Sequence, residues 1–242
     1  MARLFNDASS EFGVNTSVSI SAMPLSMACW FNTNDLDVNE ILISLADSAV
    51  GDHWFALGIN GSEAGDPVQA WKRGGSSSVA RTTTTPSINT WHHACGTFAS
   101  ATSTIAYLDG AGKHEETTSI TPSSIDVTAV GGIRDVSPGQ YWSGLIAEIA
   151  LWNVTLTDAE VAILAVGYSP LFVRPGNLVN YWPLIGRTSP EIDVVGGVNF
   201  TLTGTVVANH PRIIMPHRQQ IIPAVAAVGG VANPWYQYAQ AS

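Results

Sequence analysis

The chain has 242 residues, 45% of them hydrophobic and only 12% charged, with a formal net charge of −9. That acidic balance excludes a phosphate-neutralising nucleic-acid binder, which needs clustered Lys and Arg. Two cysteines are too few for a disulfide scaffold, and the longest apolar run, 221–232, is too short and too broken by Pro and Gly to span a bilayer.

In chain order, a short edge strand is expected around Val14–Ala22, ended by Pro24. Leu25, Met27, Cys29 and Phe31 alternate with Ser26, Ala28, Trp30 and Asn32, the period of two that marks a half-buried strand. Further strands are expected at 40–45, 54–59 and 67–72, with a turn signal at Asn60-Gly61. Residues 74–78 read as a flexible Gly/Ser loop. Strands follow at 91–98 and 104–108, then a turn at Asp109-Gly110 and a partner strand at 117–120. Another strand is expected at 125–130.

The stretch 143–161 carries the clearest punctuation. Leu145, Ala147, Ile149 and Leu151 point one way, and Ile146, Glu148, Ala150 and Trp152 the other. Thr157 and Glu160 then have capping-box spacing for a short helix over 157–166, closed by Gly167. Closing strands fall within 178–207. Beyond 209 the prolines at 211, 216, 223 and 234 predict an extended arm over 210–242, which holds no acidic residue. Its aromatic end, Trp235, Tyr236 and Tyr238, is expected to dock on a neighbour. Many short strands without βαβ alternation give an all-β jelly-roll sandwich, so the chain divides into a 1–209 domain and the 210–242 arm.

Four segments resemble the concanavalin A-like jelly roll in its laminin-G-like and pentraxin-like branch: Leu25–Phe31, Trp91–Phe98, Ile105–Gly110 and Gly144–Val161. The resemblance covers about 10–167 and implies an antiparallel sandwich. It further implies that Cys29 and Cys95, on strands matching cysteine-bearing strands of pentraxins, lie near each other. Calcium is the family's usual cofactor. The matching loops place Asp52 and Asp135 as candidate ligands, but Ile133 and Arg134 stand where the family has further oxygens. No cofactor is otherwise expected.

Glucanases of this fold carry E-x-D-x-x-E. The nearest match, Glu191-Ile192-Asp193-Val194-Val195-Gly196, lacks the second glutamate, so no catalytic residues are expected. Glu148 reads as a structural carboxylate, and His93 as a satisfied core histidine. His92 and His93 point to opposite strand faces.

Segments of 167–215 resemble laminin-G-like virion proteins of tailed bacteriophages. That resemblance implies a non-enzymatic virion structural protein, such as a capsid decoration or fibre-associated component. It would be made without a recognisable export signal and partnered by copies of itself and other virion proteins. The alternative is a carbohydrate-binding, lectin-like module, with Trp54, Trp71, Tyr141 and Trp142 as candidate glycan contacts. A glycan ligand is compatible with both.

Overall fold

The computed structural model describes residues 2–216. The strands are β1 (Ala2–Phe5), β2 (Phe12–Asn15), β3 (Leu25–Thr33), β4 (Asn39–Ala46), β5 (His53–Asn60), β6 (Val68–Gly74) and β7 (Ser76–Arg81). They continue as β8 (His92–Ser100), β9 (Ser103–Leu108), β10 (Ala111–Glu116), β11 (Val127–Val130) and β12 (Gly144–Trp152). After helix α1 (Asp158–Ala165) come β13 (Leu178–Trp182), β14 (Thr201–Thr203) and β15 (Val206–Ala208).

All pairings between these strands are antiparallel, and they form two sheets. One runs β10-β9-β8-β3-β12-β1-β15, with β13 added on β12; the other runs β14-β2-β11-β4-β5-β6-β7. Alternation sets the layers. From β3, Leu25, Met27, Cys29 and Phe31 enter the central core, where they meet Phe55, Leu57 and Ile59 of β5. The opposite face of the first sheet, with Ala28, Cys95, Tyr107 and Trp152, is covered by Val161 and Leu164 of α1. The opposite face of the second sheet carries Ile41, Ala46, Trp54 and Ala56, and is covered in part by Ile133.

The capping box at α1 is present. Thr157 Oγ1 accepts from the Glu160 N–H at 3.4 Å, and Glu160 Oε2 accepts from the Thr157 N–H at 2.8 Å.

Several expectations are corrected. Residues 74–78 are not a flexible loop: Gly74 and Gly75 make a tight turn into β7, which pairs with β6 along its length. The partner of β9 is β10 at 111–116, immediately after the Asp109-Gly110 turn, rather than 117–120. An additional strand, β1, lies between β12 and β15.

Cys29 and Cys95 do not face each other. In the β3–β8 register Cys29 stands opposite Ala94 and Ala28 opposite Cys95. That one-residue offset sends the Cys29 side chain into the central core and the Cys95 side chain to the layer under α1.

The first residues of the expected arm belong to the body. His210 Nε2 lies 3.1 Å from Glu148 Oε1, and Ile214 bridges to Tyr168. The Ile214 N–H donates to Gly167 O at 2.7 Å, and the Ser169 N–H donates to Ile214 O at 3.0 Å. Trp235, Tyr236 and Tyr238 lie outside the described residues.

Candidate functional site

The loop between β11 and β12 builds one wall of a cleft on the outer face of the second sheet. Its start is fixed by Gly131, whose φ is +77° and where a side chain would meet the Phe5 ring at 2.6 Å. The loop then folds on itself, with the Ile133 N–H donating to Gly139 O at 3.0 Å and the Gly139 N–H donating to Ile133 O at 3.3 Å. Two bonds tie it to β4: Ser44 Oγ donates to Gly132 O at 2.8 Å, and the Ile41 N–H donates to Gln140 O at 3.0 Å. The wall is thus held by backbone and hydroxyl bonds before any ligand arrives.

The floor comes from β5 and β6. Their register pairs Trp54 with Arg73 and Ala56 with Trp71, so Trp54, Trp71 and Arg73 share the outer face. The two indole centroids are 4.5 Å apart at 52°. Trp54 is only 2% exposed, whereas Trp71 is half-buried. Trp71 is therefore the platform that a ligand can reach, and Trp54 is its backing. The Arg73 guanidinium carbon lies 5.7 Å over the Trp54 ring. The cleft holds about 220 Å³ and is lined further by Gly51, Ile133, Asp135, Ser137 and Gln140.

Its polar chemistry is unusual. Trp54 Nε1, Trp71 Nε1, Arg73 Nε and Gln140 Oε1 are all buried without a hydrogen-bond partner. Buried polar atoms are normally paired, and each orphan costs about 1–3 kcal/mol. Four of them belong to residues that line one cleft, giving its floor and wall unmet hydrogen-bonding capacity, although the core indole of Trp142 is unpartnered as well.

The predicted site residues sort clearly. Trp54 and Trp71 meet in the cleft. Trp142 does not: it is fully buried in the central core, edge-on to Phe31 at 5.6 Å, and cannot stack on a ligand. Tyr141 turns to Phe12, 6.5 Å away, on the other flank of the loop, where Arg134 lies 4.1 Å over the Phe12 ring. Arg73 and Gln140 were missed. For Arg73 the signal was available, since it stands two residues after Trp71 on a strand and so shares its face. Gln140 carries no comparable mark in the sequence.

The two loops expected around calcium do approach each other. Gly51 and Asp135 both line the cleft, and a Cβ on Gly51 would lie 3.7 Å from Asp135 Oδ2. Asp52 instead faces His53, with 3.8 Å between its Oδ1 and Nε2. Among the described residues no three His, Cys, Asp or Glu side chains form a group able to hold a metal ion. One carboxylate beside a guanidinium does not fit a cation that takes six to eight oxygens.

The remaining candidates have structural settings. Glu148 is buried at a bulge with φ +56°, and its carboxylate accepts from the Tyr181 hydroxyl beside His210. Asp193 accepts from the backbone N–H groups of Tyr181, Val195, Gly196 and Val198 and from the Asn180 amide. Glu191 is paired with Arg3. His93 is not a satisfied histidine: its Nδ1 has no partner, its ring packs edge-on to Trp30 at 5.5 Å, and burial lowers its pKa to about 4 against the opposing pull of Asp109. It remains neutral.

A family model described as "Concanavalin A-like lectin/glucanases superfamily" matches residues 6–162. The chain belongs to this superfamily. Solved structures agree on the concanavalin A-like fold. A pentraxin from Limulus polyphemus, 12% identical, has a TM-score of 0.62 over 86% of this chain and 94% of its own. A protein from Bacteroides ovatus, described as a candidate carbohydrate binder, is 18% identical with a TM-score of 0.60, covering 88% of this chain. This chain spans 61% of that protein's length. A carbohydrate-binding module of a Ruminococcus gnavus sialidase, bound to α2,3-sialyllactose, is 13% identical with a TM-score of 0.55 over 68% of this chain and 98% of its own. No curated protein sequence matches the chain. Among the described residues no helix is long and apolar enough to cross a membrane.

Proposed function

We propose that this concanavalin A-like protein is a non-catalytic carbohydrate-binding module whose ligand lies in the Trp54–Trp71 cleft. One observation carries the reading: a half-buried tryptophan, backed by a second, in a cleft edged by unpartnered polar groups. Sugars offer apolar C–H faces to an aromatic ring and hydroxyls to donors and acceptors, and both kinds of partner are in place. The carbohydrate-binding descriptions of two structures of similar fold support it. Glycoside hydrolysis needs two facing carboxyl groups. Among the described residues Asp135 is the one carboxylate lining the cleft, while Glu191 and Asp193 are engaged elsewhere.

Trp71→Ala will weaken glycan binding about 30-fold while the circular dichroism spectrum is unchanged, a loss of ~2 kcal/mol expected for a truncated aromatic anchor. Tyr141→Ala will leave affinity unchanged. Equal affinities of Trp71→Ala and wild type, measured by calorimetry on an oligosaccharide identified from an array, would remove the cleft as the site.

A second reading, a structural role in a virus particle, draws on the surface where the described chain ends. Ile185, Ile214 and Met215 are exposed there, at a mostly apolar hollow of about 280 Å³ lined by Pro183, Ile185, Ile213 and Met215. In that reading residues 217–242 join copies of the chain. Their deletion is expected to shift the protein from oligomer to monomer in sedimentation. An unchanged sedimentation coefficient per subunit count would remove the arm's assembly role.

A further inference from the structure

Resting on the carbohydrate reading, we infer that the cleft selects an acidic glycan, with Arg73 receiving its carboxylate or sulfate. The inference starts from charge. The chain has 19 acidic and 10 basic residues, so an arginine without an acidic partner is conspicuous. Arg3, Arg81, Lys113 and Arg174 each pair with a carboxylate. Lys72 is bound by the carbonyls of Ser100 and Ala101. Arg187 and Arg212 are exposed to water, and Arg134, half-buried and among the described residues also without an acidic partner, lies over the Phe12 ring on the other flank of the loop. Arg73 is half-buried in the cleft and, among the described residues, has neither an ion pair nor a hydrogen bond to its buried Nε. A guanidinium partly withdrawn from water loses hydration that only an anion with matched oxygens fully returns.

The other groups fix the polarity of the ligand. Both unpartnered indole N–H groups are donors and lie with Arg73 on the β5–β6 floor. Closed to solvent in the free protein, they add to the donor character of that floor without reaching its surface. The opposite wall holds acceptors: Gln140 Oε1, which is unpartnered, and Asp135, whose Oδ1 accepts from the Ser137 N–H at 2.8 Å. Asp135 would repel a second acid but accept from sugar hydroxyls. The cleft therefore suits a residue with an anionic group at one edge and hydroxyls at the other. A neutral sugar leaves Arg73 unanswered, and a polyanion charged on every side meets Asp135.

The test is calorimetric titration of the full chain with matched pairs. The carboxylate arm uses α2,3-sialyllactose against lactose, and an oligohexuronate against its methyl ester. The sulfate arm uses a sulfated oligosaccharide against its desulfated form. In at least one arm the acidic member is expected to bind tenfold or more tightly than its neutral partner, and the preference to fall as NaCl is raised. Arg73→Gln should abolish that preference, bringing the acidic and neutral members to the same affinity, whereas Trp71→Ala should weaken both members and leave their ratio in place.

Equal binding of acidic and neutral members by the wild type would overturn the acidic-glycan inference and leave the carbohydrate reading standing. A preference that survives Arg73→Gln would equally overturn it. If no oligosaccharide on a broad array binds but an acidic peptide or nucleic acid does, both this inference and the carbohydrate reading fail.

Discussion

Replacing Glu40 by glutamine is expected to stabilise the protein by about 3 kcal/mol at pH 7, with the gain vanishing toward pH 4.5. Glu40 stands near the start of β4 with its side chain turned inward, opposite Ile59. It is 1% exposed, and neither carboxyl oxygen has a hydrogen-bond partner. Burial is the main reason its pKa rises to about 8, and the charges of Asp7 and Asp35 add to it. The Ser143 backbone pulls the other way, from outside hydrogen-bond geometry.

The sign follows from proton binding. The folded chain keeps a proton that the unfolded chain loses above its ordinary value of 4.5. Stability from this residue is therefore full below 4.5, falls by about 1.4 kcal/mol per pH unit above it, and levels out past about 8. Glutamine keeps the shape and cannot ionise. Urea denaturation of both proteins from pH 4 to 9 should give curves that diverge between those limits. Parallel curves would show that Glu40 ionises in the fold at no cost.

The second large effect lies at Arg3. Its side chain is 3% exposed, and Nε and Nη2 donate to Glu191 Oε2 at 3.2 and 3.0 Å; Nη2 also donates to Thr188 O. Glu191 Oε1 accepts from the Gly186 N–H at 2.7 Å. The pair stitches β1 to the segment that precedes β14. Arg3→Ala removes one partner and strands a buried carboxylate, which costs about 3–5 kcal/mol. The double variant Arg3→Met, Glu191→Leu removes both charges and should recover most of that loss. A double variant as unstable as Arg3→Ala would mean that the arginine's packing, not the stranded charge, sets the cost.

What the sequence made legible depends on where each side chain's reason lies. The strands β3, β4, β5, β8, β9 and β12 are buried along most of their length, but they send larger apolar side chains to one face than to the other, so their own alternation betrays them. The capping box Thr157–Glu160 is local and was readable for the same reason. β1 was hidden because its Arg3 looks polar until Glu191, 188 residues away, is beside it. β7 was hidden because Ser76, Ser77 and Ser78 pair through backbone groups, which leave no mark in side-chain type. β10 is an edge strand of Lys113, His114 and Glu115, mostly exposed, with the polar character that edges commonly have.

At the site, the sequence marks tryptophans but not the face each one takes. Trp71 and Trp142 look equally suited to a glycan, yet only β-sheet register distinguishes a cleft floor from a core. Cys29 and Cys95 teach the same lesson: correct strands, adjacent in space, with a one-residue offset that separates the faces.

The central claim, a glycan in the Trp54–Trp71 cleft, is tested most directly by the indole N–H resonances of the ¹⁵N-labelled protein during titration with an acidic oligosaccharide. The chain has eight tryptophans. Trp152 Nε1 donates to Val173 O at 2.8 Å and Trp182 Nε1 to Val198 O at 2.7 Å, so both should stay in place. The Trp54 and Trp71 indole signals, unpartnered in the free protein, should move together and saturate with one affinity. Saturable binding that leaves those two signals unmoved would contradict the account.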